Sequence, residues 1–294
     1  MIIKELNYEH LPLCVDIAFL RNNQPENNSA YCPKSREGIQ GDFEYVMSSA
    51  GSLVVGYFTS DETSDGLAGF LLCYMNPENS WVDCVGPFFS NEWNEDVAKK
   101  MFSFADTKLT NAARFNFYFN TNNKNLHELM TVLSAERRDN EYNLLLKKSD
   151  YKTQQIKHNI VPYSNRFESD VKKILIDTFP DSYVTGNELI ASIGKDREVF
   201  CALDESGAFV GYGVLKLYDD TYYVTAEIFA VAEGYRGKGY GWALLNSVVE
   251  CAFNVHNADR VGLIVDRLNT HARDLYYSCG FKLDVENSSY CVKK

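Results

Sequence analysis

Apolar residues recur along the chain in short periodic runs, each long enough for one element. Residues 1–6 read as a strand, and residues 8–20 space their apolar positions for a helix. The segment 22–40 is polar and rich in turn formers, which predicts a loop with at most a short helix. Three β-rich runs follow at 52–59, 67–75 and 81–89, the first two separated by a turn at 60–66, and together they predict an antiparallel meander. Val97, Met101, Phe104 and Ala105 form one stripe of a helix over 95–109. A strand at 114–119, a helix at 126–133 and a strand at 143–147 complete the series. The order is strand, helix, three strands, helix, strand, helix, strand.

Beyond the polar stretch 149–159, the natural linker, the same order starts again. Ile160 and Val161 read as a strand, and a helix over 167–179 is stopped by Pro180. A second helix at 187–193 leads to strands at 198–203, 209–217 and 222–231, the first two joined at Glu205, Ser206 and Gly207. Then come a helix at 241–255, a strand at 260–265, a helix at 270–278 and a closing hairpin over 281–292. The pattern predicts a mixed α/β fold in two tandem domains, 1–150 and 156–294, each a mostly antiparallel twisted sheet flanked by helices.

Charge and composition narrow the partners. Lys plus Arg is 29 and Asp plus Glu is 40, a formal charge of −11, so the chain has no general field for gathering phosphates and nucleic acid is not expected as a partner. A 45% hydrophobic and 23% charged composition is that of a folded protein. No apolar run approaches the roughly eighteen residues of a membrane span, and Lys4 and Glu5 stand where an export signal would be apolar. A cytoplasmic protein without membrane contact is expected. The eight cysteines form no CxxC pair, which suits reduced, buried thiols. Five histidines never fall into HxxxH or HExxH spacing, so no metal site is expected.

The segment 231–245, VAEGYRGKGYGWALL, carries the clearest chemistry. A β-rich run passes through Gly237, Gly239 and Gly241 into an amphipathic helix. Glycines let backbone N–H groups approach an anion closely, and a helix start supplies orphan donors and the positive end of its dipole. A phosphate or pyrophosphate is the expected occupant, with Arg236 and Lys238 adding charge at the rim. A Walker loop would need Lys and then Ser or Thr after its second glycine, whereas Tyr240 and Gly241 follow Gly239. A Rossmann fingerprint would read GxGxxG close behind the strand, whereas GxGxG stands here, with five residues between Val231 and Gly237.

The remaining pattern, Arg236-x-x-Gly239-x-Gly241, resembles the acetyl-coenzyme A (acetyl-CoA) pyrophosphate loop of the GNAT superfamily of N-acetyltransferases. A second block, LIVDRLNTHARDLYYSCGF over 263–281, is similar to the strand, Asn, helix and LYxxxGF segment of that family. Glu233 replaces a common proline and Cys279 a common leucine. The resemblance covers the second half and extends to the first by topology alone. It implies that backbone groups of Phe229, Ala230 and Val231 pair with the pantetheine arm, that Arg236, Gly237, Lys238, Gly239, Tyr240, Gly241 and Trp242 hold the pyrophosphate, and that Asn269 contacts the cofactor. It makes Tyr276 the acid that protonates the departing thiolate. A phenol near pKa 10 and a thiol near 8.5 differ by about 1.5 units, so that transfer costs about 2 kcal/mol. An attacking amine is neutral in only about one molecule in a thousand at neutral pH, so a base is needed. Glu227, on the strand face of Phe229 and Val231 by alternation, is the candidate.

Each assignment has a structural alternative. Asn269 suits the N-cap of the following helix, Tyr276 lies on that helix's buried face, and Glu227 suits a structural carboxylate. Gly280 and Phe281 are expected to form a left-handed helix cap with its apolar contact. In the first half the place of the loop reads FFSNEWNEDVA, whose Glu92, Glu95 and Asp96 should repel pyrophosphate. The first half is therefore read as a degenerate acetyltransferase-like domain, structural or substrate-binding, and the second as the catalytic domain. The expected activity is acetyl transfer from acetyl-CoA to an amine, by a monomer or homodimer, with an acceptor pocket built from loops such as 181–187 and 219–223. The alternative is a non-catalytic acyl-CoA-binding or interaction protein on the same fold.

Overall fold

The computed structural model describes residues 1–59, 66–76, 80–180, 182, 184–218 and 222–294, so most of the turn at 60–66 and parts of the loops at 181–187 and 219–223 lie outside the described residues. Two compact units emerge, Met1–Glu141 with Glu286–Lys294, and Tyr142–Val285.

The elements in chain order up to the first unit's last helix are β1 Ile2–Glu5, α1 Leu11–Asn22, α2 Arg36–Ser48, β2 Leu53–Phe58, β3 Leu67–Asn76, β4 Trp81–Phe89, α3 Glu95–Lys108, β5 Arg114–Asn120 and α4 Lys124–Val132, followed by the two-residue β6 Glu136–Arg137. Strands β1 to β4 pair antiparallel in sequence order, and β5 then joins β4 in parallel. One face of the sheet packs on α1 and α2 through Val54, Phe70, Leu72, Ile39 and Phe43. The other face packs on α3 and α4 through Val55, Leu71, Met101 and Leu129. Helix α2 starts inside the segment read as a loop. Ser35 caps it by accepting from the Gly38 N–H at 3.1 Å, and Ile39, Phe43 and Val46 recur at helical spacing and are buried. Gly38, Gly41 and five charged or amide side chains between 36 and 45 dilute that stripe in sequence.

The second unit continues with β7 Glu141–Lys147, β8 Asn159–Pro162, α5 Glu168–Thr178, α6 Gly186–Ser192, β9 Arg197–Leu203, β10 Phe209–Lys216, β11 Tyr223–Val231, α7 Tyr240–Asn254, β12 Arg260–Asp266 and α8 Thr270–Ser278. The strand order is β7, β12, β11, β10, β9, β8. Helices α7 and α8 cover one face through Leu245, Val248, Leu275 and Tyr276, while α5 and α6 cover the other through Val171, Leu175 and Leu189. In each unit the sheet is mostly antiparallel, as expected from the sequence, and β4–β5 and β11–β12 pair in parallel.

The last element, β13 Lys282–Lys293, is one continuous strand and not the expected hairpin. Asn287, Ser288 and Ser289 read as turn chemistry, yet all three are buried and pair antiparallel with Asn120, Phe119 and Tyr118 of β5. The division into units therefore differs from a cut at 150 and 156: residues 142–147 pack in the second unit and residues 286–294 in the first. Among the described residues no helix is long and apolar enough to cross a membrane. All eight cysteines are free thiols, with Cys32 and Cys279 half-buried and the rest buried.

Candidate active site

Strands β11 and β12 pair in parallel only from Tyr223↔Arg260 to Thr225↔Gly262, whereas β11 runs on to Val231 against β10. Past Thr225 the two parallel strands part, and the β12-facing edge of β11 opens beside the glycine loop. Arg236 ties the loop to the strand end, its Nε donating to the Val231 carbonyl at 2.9 Å.

The loop turns through Gly237 at φ 74° and Gly239 at φ 88°, left-handed conformations that favour glycine. Gly239 is the N-cap of α7 and has no side chain to offer the first turn, so no side-chain cap closes the helix start. The N–H groups of Tyr240, Gly241 and Trp242 form that first turn. Lys238 lies over the Tyr235 ring at 5.2 Å, and the Trp242 carbonyl accepts from Asn246 at 2.9 Å. A Cβ on Gly241 would stand 3.4 Å from Leu275 of α8 and 4.0 Å from Val231, so the starts of the helix, α8 and the end of β11 converge there.

Two supports of this loop were invisible in sequence because they come from distant segments. The Tyr235 hydroxyl donates to Asp204 of the β9–β10 turn at 2.8 Å. Hydrogen bonds from Ser206, Tyr235 and the Ala208 N–H hold the Asp204 carboxyl down at about 2. His158, from the segment before β8, packs against Tyr240 with ring centroids 4.3 Å apart and planes tilted by 31°, and its Nε2 lies 2.8 Å from where a Gly239 Cβ would be.

Glu227 sits elsewhere than alternation placed it. The β10–β11 register jumps from Val214↔Ile228 to Leu215↔Ala226, making Glu227 the extra residue of a β-bulge. Before the bulge Val224 and Ala226 face α7, whereas Ile228 and Ala230 face α5, and Phe229 and Val231 pack on the α7 side. Glu227 thus lies on the face opposite Phe229 and Val231. There Arg197 grips it with two bonds, Nε to Oε2 at 2.6 Å and a terminal nitrogen to Oε1 at 2.8 Å, and Lys216 lies 3.6 Å away. The Glu227 side chain is 4% exposed and that of Arg197 8%.

On α8, Asn269 is the N-cap, its Oδ1 accepting from the Ala272 N–H at 3.1 Å. Tyr276 packs into the α7–α8 core with its ring 6.2 Å from Phe281. Burial first, and then the Cys279 thiol, push its phenol up to about 12. The gap to a free thiol is then about 3.5 units, or roughly 5 kcal/mol, more than the reference values suggest. Gly280 is left-handed at φ 96° and Phe281 is buried, the cap expected from the Gly-Phe pair.

The equivalent place in the first unit is closed. Strands β4 and β5 also part, after Cys84↔Phe117, but Ser29 bridges to Phe119 in the gap. Ala30 N–H donates to the Tyr118 carbonyl at 2.8 Å, and Gly86 N–H to the Ser29 hydroxyl at 3.1 Å. The chain itself therefore fills the opening. The start of α3 is capped by Asn94, which accepts from Val97 N–H at 3.1 Å, and Glu95 and Asp96 stand in its first turn.

The start of α7 thus combines glycine-lined backbone, no side-chain cap and a neighbouring pair of parallel strands that part, an arrangement that leaves backbone donors at a helix N-terminus. Residues 168–281 match the model of the acetyltransferase (GNAT) family. The fold of the whole chain is that of tandem proteins of this kind. It is similar to a GCN5-related N-acetyltransferase from Sphaerobacter thermophilus, with a TM-score of 0.80 at 13% identity, covering 100% of this chain and 96% of that one. A tandem GNAT protein from the clavulanic acid biosynthesis pathway gives a TM-score of 0.74 at 12% identity, covering 99% and 98%. A GNAT-family acetyltransferase from Colwellia psychrerythraea gives 0.64 at 13%, covering 100% of both chains. No curated protein matches the chain at a significant level.

Proposed function

We propose that residues 156–294 form a catalytic domain that binds acetyl-CoA and transfers its acetyl group to a primary amine of a small molecule or peptide, and that residues 1–150 are a degenerate copy. The observation that carries this reading is the uncapped start of α7 beside the open edge of β11. Acetyl-CoA supplies the activated acyl thioester. Backbone groups of Phe229, Ala230 and Val231 would bind its pantetheine arm as an added strand, and the amides of residues 236–242 its pyrophosphate. Asn269, beyond its cap bond, would contact the arm through its amide nitrogen. Tyr276, whose raised pKa keeps it protonated at neutral pH, would donate to the departing thiolate. Glu227 would take the amine proton through a water, because both of its oxygens are already held by Arg197. The thiols' reduced state and the charge balance support work in the cytoplasm, as a monomer or homodimer.

The grip of Arg197 on Glu227 also favours a second reading, an acyl-CoA-binding protein without turnover. Release of free thiol from acetyl-CoA, measured with and without a panel of amines, separates the two. Amine-dependent release supports the enzyme, saturable binding without release supports the binder, and absence of both refutes the site.

A further inference from the structure

The end of α7 remote from the glycine loop carries a second group of chemically apt side chains. Glu198 projects from β9, Cys251 lies in the last turn of α7, and His256 follows the helix. The His256 Nε2 is 2.9 Å from Glu198 Oε1, and the Cys251 thiol donates to Glu198 Oε2 at 3.0 Å. One ligand atom from each residue lies within 4.8 Å of the other two. The helix end fixes this arrangement locally, since His256 N–H donates to the Cys251 carbonyl at 3.2 Å and Ala258 N–H to the Ala252 carbonyl at 3.0 Å. Glu198, a strand residue 53 positions before Cys251, is brought in by the packing of β9.

We propose that Glu198, Cys251 and His256 form a zinc-binding site, with the fourth coordination position open to water. Bond lengths of about 2.0 to 2.3 Å in a tetrahedral site place ligand atoms about 3.3 to 3.7 Å apart, so the His256 and Cys251 contacts to Glu198, at 2.9 and 3.0 Å, need to lengthen by roughly half an ångström. Sulfur, imidazole nitrogen and carboxylate oxygen are the donor types zinc takes. Without metal the thiol keeps its proton, because burial and the neighbouring carboxylate push it up to about 12. Binding breaks the Cys251 S–H bond and releases that proton to solvent as the Zn–S bond forms, with Glu198 entering as carboxylate and His256 as neutral imidazole. Two negative ligands then balance the dication, and the metal ties β9 to the end of α7. No histidine spacing announces such a site, since its ligands are a Cys and a His five apart and a Glu from another element.

The test uses the tag-free full chain, stripped with chelator. Titration with Zn2+ alone should give one ion per chain, and Co2+ in its place should give the near-ultraviolet thiolate-to-cobalt absorption. Cys251→Ala should abolish that absorption, and Cys251→Ala, His256→Asn and Glu198→Gln should each weaken binding by at least about a hundredfold, beyond the roughly 10- to 100-fold cost of losing an outer partner. Cys32→Ser should change nothing. X-ray absorption of the zinc-loaded wild type needs no variant, and should show one sulfur near about 2.3 Å and lighter ligands near about 2.0 to 2.2 Å. Absence of binding, a zinc shell without sulfur, or unchanged binding in Cys251→Ala and His256→Asn would overturn the proposal.

Discussion

Placing a negative charge in the glycine loop tests the proposed cofactor cradle directly, and the structure selects the position. Gly239 is a poor choice, because its left-handed φ of 88° and the His158 nitrogen 2.8 Å from a new Cβ would make any loss steric. Gly237 is also left-handed, at 74°, but a Cβ there meets nothing within 4 Å. Gly237→Asp and Gly237→Asn share the same shape and the same conformational cost, about 1 to 2 kcal/mol for an ordinary residue and less for these two. Their difference isolates charge. Unit charges at about 4 Å interact by about 1 kcal/mol in water and about 4 at an effective dielectric of 20. At about 1.4 kcal/mol per decade, the Asp variant should bind acetyl-CoA roughly fivefold to several hundredfold more weakly than the Asn variant. Calorimetric titration in low salt and again in about 1 M salt should show the gap closing, as the Debye length falls from about 10 to about 3 Å. Equal affinities of the two variants, or a gap indifferent to salt, would refute the placement of the pyrophosphate.

Four further outcomes are expected. Tyr276→Phe should lower turnover by about 10² to 10⁴ with cofactor affinity nearly intact, and unchanged turnover would leave Tyr276 a core residue. The Tyr276 pKa is raised from 10 to about 12 on folding, so its contribution to stability is complete below pH 10 and lost as pH rises through 12. Denaturation between those limits should show a steeper loss in wild type than in Tyr276→Phe, and parallel curves would contradict the burial argument. Arg197→Gln leaves the buried Glu227 carboxylate without its bidentate partner and should cost about 3 to 5 kcal/mol in denaturant unfolding, with a loss below about 1 kcal/mol counting against the pair's importance. Titration calorimetry should find one acetyl-CoA per chain, because Ser29 and Ala30 occupy the first unit's opening, and a stoichiometry of two would show that this segment gives way.

Local chemistry was legible in the chain before any coordinates. Glycine spacing placed close-approaching backbone at a helix start, Asn269 and the 270–278 stripe marked a capped helix with those bounds, and the Gly280–Phe281 pair marked its end. These features depend on residues within one or two turns of each other, where backbone sterics and capping act without help from the rest of the fold. The repeated order of strands and helices was legible for the same reason, since burial of one face imposes periods of about 2 and 3.6 on any segment.

What the sequence left open are matters of register and of partners remote along the chain. One extra residue in β11 moves Glu227 to the opposite face from Phe229, because side chains alternate with a period of two and a bulge resets the count. Its partner Arg197 lies 30 residues away, and His158 reaches Gly239 from 81 positions earlier. The asymmetry between the halves follows in part from acids near α3, which the sequence displays. Its larger cause is Ser29 and Ala30 filling the gap beside β5, a pairing set by chain connectivity. The buried Asn287–Ser289 run shows the same division: turn-forming by composition, it is held extended because β5 offers a free strand edge whose hydrogen bonds outweigh local preference.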